Sequence, residues 1–125
     1  MINLDLVLEI HEILIKEFGG DTGIKDMNLL KSALSRPFQT FDGNELYPTL
    51  EEKASALLES IIINHPFVDG NKRAGYFLAR FYLLQNNMDI IADQVDKYNF
   101  IIDIASGKIK YDEILIWVKK HSELK

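Results

Sequence analysis

Apolar positions recur along this chain with the period of a helix, and the recurrence is interrupted at regular points by capping and breaking residues. Leu4, Val7, Leu8, Ile10, His11, Leu14, Ile15 and Phe18 fall three and four residues apart, which predicts a first helix capped by Asn3 and ended by Gly19 and Gly20. Asp26 is placed to cap a second, shorter helix running to about Arg36, with Leu29, Leu30, Ala33 and Leu34 inward and Pro37 as its stop. Thr49 followed by Glu52 is a capping box that opens a third helix, ending at Asn64. Ala54, Ala56, Leu57, Leu58, Ile61 and Ile62 make that helix apolar on more than one side, so it belongs at the centre. Phe77, Leu78, Phe81, Leu83 and Leu84 do the same for a helix from Gly70 to about Asn86, which Asn86 and Asn87 end as left-handed caps. Asp93 caps a fifth helix reaching about Ser106 and ended by Gly107. A sixth runs from Tyr111 to about His121, with Ile114, Leu115, Trp117 and Val118 inward and Lys119, Lys120 and His121 at the negative end of its dipole.

One stretch escapes the helical period. Between Phe38 and Pro48 the pair Asp42-Gly43 makes a turn between two short polar-apolar segments, Gln39–Phe41 and Glu45–Tyr47. Pattern alone describes this as a surface loop. A hairpin so short is marginal and mobile without a partner. The expected fold is therefore all-α, about six helices around a hairpin formed by the two most apolar ones. His11 lies on an apolar stripe with no second histidine at metal spacing, and reads as a packing or surface residue rather than a ligand.

Composition narrows the class. The chain has 125 residues, 47% hydrophobic and 26% charged, which suits one globular domain over 1–125 rather than a disordered or two-domain chain. A net charge of −5 argues against nucleic acid as a direct partner. Zero cysteines remove disulfides and thiolate metal sites from consideration and fit a reducing compartment. No apolar run approaches the roughly 20 residues of a membrane span, and the start lacks the basic character of a secretion signal, so the expected location is the cytoplasm, with no membrane partner.

Chemistry concentrates between Asn64 and Leu84. Pro66 pushes His65 out of helical backbone angles, so the third helix stops there. The next helix starts near Gly70 and Asn71, where unpaired backbone N–H groups and the positive dipole end form an anion site. Lys72 and Arg73 stand in the first turn, where cations are unfavourable for the helix itself, which points to an anionic ligand such as phosphate. Asp69 is a hard oxygen ligand of the kind that magnesium carried on a nucleotide takes. His65 is an imidazole able to take a proton from a hydroxyl near neutral pH. From Gly70 to Met88 there are three basic residues and no acidic one; Arg80, the third, either pairs with a carboxylate of a neighbouring helix or serves the same anion.

His65, Pro66, Phe67, Asp69, Gly70, Asn71, Lys72 and Arg73 match the pattern HPFx[DE]GN[GK]R, and the chain so resembles the Fic/Doc family, more closely its Doc (death-on-curing) branch. Gly19–Leu34 and Phe41–Ala54 look like the upstream segments of that branch, so about the first ninety residues are covered. The resemblance implies the Fic fold with a small β-hairpin, the flap, over the active site. In this chain Phe41, Asp42, Gly43, Asn44, Glu45, Leu46 and Tyr47 would form the flap and dock a target segment by strand addition. It implies a toxin that modifies a hydroxyl of a host protein with ATP and Mg2+, and an antitoxin protein acting in trans. His65 would be the general base, Asp69 the magnesium ligand, Gly70 and Asn71 the phosphate cradle through backbone and side chain, and Lys72 and Arg73 the stabilisers of transferring phosphate.

Two departures separate the chain from adenylylating members. Lys72 stands where they usually have Gly, and Tyr76 stands where they have a second arginine. Both resemble the Doc branch, which implies a kinase acting on a translation elongation factor (Tu) rather than an AMP transferase; Arg80 is a substitute for the missing arginine if AMP is transferred. The inhibitory pattern [ST]xxxE[GN] is approached only by Ser55–Ser60, where Ser60 replaces the final Gly or Asn and Glu59 is expected to be an ordinary exposed or paired carboxylate. A catalytically silent adaptor keeping the anion site is the alternative from another class, and the presence of both His65 and Asp69 disfavours it. Helix-turn-helix DNA binding is disfavoured by the acidic charge and by a loop longer than that turn.

Overall fold

The computed structural model describes residues 2–125. Its six helices are α1 (Leu4–Phe18), α2 (Met27–Ser35), α3 (Leu50–Asn64), α4 (Asn71–Gln85), α5 (Gln94–Ala105) and α6 (Tyr111–His121). The sequence's capping signals set the starts: Asn3, Asp26, Thr49 and Asp93 each accept a bond from a backbone N–H in the first turn. Thr49 and Glu52 close a reciprocal capping box at the head of α3. A 3-10 turn, Arg36–Phe38, follows α2, because Pro37 is tolerated at the start of a new turn but not inside the old one.

The centre is the antiparallel pair α3 and α4. Nine residues of α3 are buried, among them Leu57, Leu58, Ile61 and Ile62. A Cβ on Gly75 of α4 would lie 2.9 Å from Ile62 Cγ1 and 3.3 Å from Ile61 Cγ2, so the absence of a side chain lets the two helices approach. Two apolar clusters flank the pair. One joins α3 and α4 to α1 and α2 through Val7, Leu14, Leu30, Leu57, Ile61 and Leu78. The other joins them to α5 and α6 through Leu58, Ile62, Leu83, Phe100, Ile104, Ile114 and Val118. Each fully buried aliphatic contributes about 1.5–3 kcal/mol, so this two-sided burial is what makes α3 and α4 a rigid mount.

The expected hairpin is present: β1 (Thr40–Phe41) pairs antiparallel with β2 (Asn44–Glu45), and Asp42 and Gly43 turn the chain with φ of 55° and 80°. The helical reading omitted a second pairing, β3 (Met88–Ile90) with β4 (Ser122–Leu124). Arg80 is occupied there. Its Nε and Nη2 reach Asp89 Oδ1 and Oδ2 at 2.7 and 3.0 Å, so the carboxylate partner stands on a strand and not on a helix. The hydrogen-bonded guanidinium holds Asp89 below the usual carboxylate range against the opposing effect of burial. Of the two expected left-handed caps only Asn87 has positive φ; Asn86 does not. No described helix is long and apolar enough to cross a membrane.

Candidate active site

The loop from His65 to Gly70 forms the apex of the α3–α4 hairpin. His65 caps α3 in the left-handed region (φ 50°, ψ 57°), as expected for a residue barred from helix by the following proline. Its side chain is exposed, and it lines a cavity of about 340 Å³ together with Val68, Asp69, Gly70, Asn71, Lys72 and Arg73. Every expected chemical residue of the loop therefore faces one cavity. The flap residues Phe41–Tyr47 do not line it.

The apex is held from beneath by contacts the sequence did not announce. His11 of α1 is 2% exposed, its ring stacked on Phe67 at 3.9 Å, and its Nε2 donates to the backbone carbonyl of Asp69 at 2.8 Å. It is a packing residue, as read from its stripe, but one that also fixes the apex loop. The carboxylate of Asp69 accepts from the N–H of Gly70 (2.8 Å) and from the N–H of Asp21 (3.2 Å). Gly20 makes this approach possible: a Cβ there would lie 2.8 Å from Asp69 Oδ2.

The side chain of Asn71 also braces the loop. It is buried, Oδ1 accepting from the N–H of Phe67 and Nδ2 donating to the carbonyl of Phe67, each at 3.0 Å. One of the two N–H donors of Nδ2 remains beyond these bonds. Asn71 also stands at the first position of α4, where backbone N–H groups lack helical partners. Lys72 and Arg73 are exposed and enter no ion pair among the described residues, and Arg73 lies over the Phe18 ring at 4.5 Å. A helix start carrying two unpaired cations is a site for anions.

Magnesium borne on a nucleotide takes only one or two carboxylates from protein. Asp69 meets that demand, with lone pairs remaining beyond its two N–H bonds. Among the described residues no three His, Asp or Glu gather as an all-protein metal cage.

A larger groove of about 550 Å³ continues from Lys72 and Arg73 between α1, α4 and α5. Phe18, Phe77 and Tyr98 line it and are well exposed, and Lys97 and Arg80 add positive charge along it. On the opposite flank Arg36 is stretched between Tyr47 of the flap and Glu59 of α3. Burial opposes its charge, but hydrogen bonds to Tyr47 and Glu59 outweigh that and hold its pKa above the ordinary value. Glu59 is thus a paired carboxylate and not a residue reaching into the loop.

Fold and loop define a class: a helical bundle whose central hairpin carries an HPFxDGN apex on a cationic helix start. A family model described as the Fic/DOC family matches residues 1–83, and Toxin Doc of Mycolicibacterium smegmatis is 43% identical over 99 residues, covering 78% of this chain and 76% of that protein. The chain belongs to the Fic/DOC family.

Proposed function

We propose that the protein is the toxin of a toxin–antitoxin pair, acting in the cytoplasm to transfer phosphate from ATP to a hydroxyl side chain of a host protein, with translation elongation factor Tu as the target. The observation that carries this reading is the convergence of His65, Asp69, Lys72 and Arg73 on one cavity at the start of α4. Similarity to Toxin Doc supports the toxin role.

Magnesium ATP, when bound, supplies the phosphoryl group and its divalent charge. The chain's own residues do the rest by placement. Nε2 or Nδ1 of His65 accepts the proton of the target hydroxyl as its oxygen bonds to the γ-phosphorus, while the bond from that phosphorus to the β,γ-bridging oxygen breaks and ADP leaves. One carboxylate oxygen of Asp69 would hold the metal, and the N–H bonds from Gly70 and Asp21 keep that carboxylate oriented. The backbone N–H groups of the first turn of α4, beginning at Asn71, and the charges of Lys72 and Arg73 stabilise the negative charge spread over the phosphate oxygens, while Gly70 leaves room for their approach. Phosphate rather than AMP transfer is supported by Arg80, which Asp89 holds in a bidentate pair and which is therefore poorly placed to substitute for the arginine that Tyr76 replaces.

The antitoxin is expected to seat an amphipathic, acidic helix in the groove beside Lys72 and Arg73, where exposed aromatics and cations alternate. The product of the neighbouring open reading frame should bind the wild type and lose affinity when Phe77 is changed to Glu; absence of any affinity for the wild type counts against this partner.

The function is tested by incubating the protein with elongation factor Tu and ATP labelled at either the α or the γ phosphate. Label from γ alone, lost in His65→Ala by a factor of about 10²–10⁴, is the expected result. Label from α makes the protein an AMP transferase. Silence in both arms with retained ATP binding makes it an adaptor.

A further inference from the structure

We propose that Arg36 and Lys53 are positioning residues that hold the flap in register with His65, so that a target strand added to the flap presents its hydroxyl to the base. This deepens the transferase reading and rests on it.

The flap has little to hold it by itself. Its ladder consists of two residue pairs, Thr40 with Glu45 and Phe41 with Asn44, and a two-stranded hairpin of this size is marginal in water. Two long cations tie its foot to the rigid centre. Lys53 of α3 is only 7% exposed, and its Nζ donates to Glu45 Oε1 at 2.8 Å and to the carbonyl of Tyr47. A lysine so desolvated is retained only where its charge is met, and here both acceptors belong to the flap. Arg36 grips the same residue at its other end: Nε donates to the Tyr47 hydroxyl at 3.0 Å. Its Nη1 meanwhile reaches Glu59 Oε1 at 2.9 Å, Ser60 Oγ at 3.0 Å and the carbonyl of Ala56 at 3.3 Å. Those three acceptors lie on the helix that ends at His65. Tyr47 is thus fastened at carbonyl and hydroxyl to the element that carries the base.

The geometry between these ties suits a bound segment. The flap forms a two-stranded sheet, so among the described residues each strand has an unpaired edge, and Phe41 beside it is 71% exposed. A cavity of about 340 Å³, lined by Arg36, Gln39, Ser60 and Asn64, runs from the foot of β1 to the residue before His65. A strand lying along the flap edge passes over this cavity, and its distance from the base is set by the Arg36 and Lys53 ties rather than by the hairpin's own ladder.

The experiment compares wild type with Lys53→Met and Arg36→Met. Each keeps the apolar stem of the side chain and removes the charge. Hydrogen exchange of flap amides, Leu46 among them, should quicken at least about tenfold in each variant while amides of the 65–73 loop stay slow. In parallel, transfer from γ-labelled ATP to elongation factor Tu should show KM for the protein target raised by about tenfold with kcat and KM for ATP little changed, and Lys53→Arg should recover part of the loss. Should a Met variant fail to fold, Tyr47→Phe and Glu45→Ala cut one tie each from the solvent side and must give the same split at smaller size. Unchanged flap exchange overturns the proposal. So does a loss confined to kcat, or an unchanged KM in an active enzyme. Wild type that transfers no label removes the transferase reading and the positioning role together, whereas active wild type with unaffected variants removes the positioning role alone.

Discussion

Both of the irregular segments that meet α3, the apex loop after it and the flap before it, are anchored, but by different means. The apex is fixed by short contacts that end on backbone: the Asn71 amide on Phe67, the His11 imidazole on the Asp69 carbonyl, the Asp69 carboxylate on the N–H of Asp21. The flap is fixed at its foot by two long, flexible cations and leaves Phe41 and Leu46 exposed beyond them. Short contacts ending on backbone determine atomic positions, which a proton acceptor and a phosphate cradle require. Long side chains determine only an approximate height, which suits an edge that must accept a strand of polypeptide.

The contrast can be broken most severely at Asn71. Changing it to Ala leaves the buried N–H and carbonyl of Phe67 without partners, at a cost of about 2–5 kcal/mol, and denaturant unfolding should show it. A loss under 1 kcal/mol would mean that the apex does not depend on this amide. His11→Phe is milder, because the ring can still stack on Phe67 while the bond to Asp69 disappears. About 1–3 kcal/mol of stability should go, together with affinity for magnesium ATP, and flap exchange should not change. The smallest effect lies on the flap side, at Tyr111, whose ring packs 5.3 Å from Tyr47. Burial first, and then the neighbouring Glu52, push its phenol up to about 12. The unfolded chain releases that proton near pH 10, so stability should fall as pH rises from about 10 towards 12, and Tyr111→Phe should flatten that limb. An identical limb in the variant would assign the slope to other groups.

Much of this was legible from spacing and caps. Asn3, Asp26, Thr49 with Glu52, and Asp93 each announce a helix whose start the structure reproduces, and the unlike residues of HPFxDGNKR mark the apex. What stayed hidden depends on partners remote in sequence. His11 looks like any stripe residue until α1 is laid under the loop that carries Asp69. Lys53 looks like a solvated lysine in a charged first turn until the flap folds over it. β3 and β4 are three residues each, too short for period to reveal, and their pairing joins segments on either side of α5 and α6. That the Asn71 amide braces both backbone groups of Phe67 was hidden too, because residue type does not say which way a side chain turns.

Gly75 acts as a detent. Ile61 and Ile62 sit in the notch it leaves, so α3 cannot slide along α4 without lifting branched side chains out of their seat. His65 rides on one helix and the cationic turn of Lys72 and Arg73 starts the other, and their spacing is consequently not an adjustable quantity. A partner that silences such a molecule is expected to cover a finished site rather than to distort one.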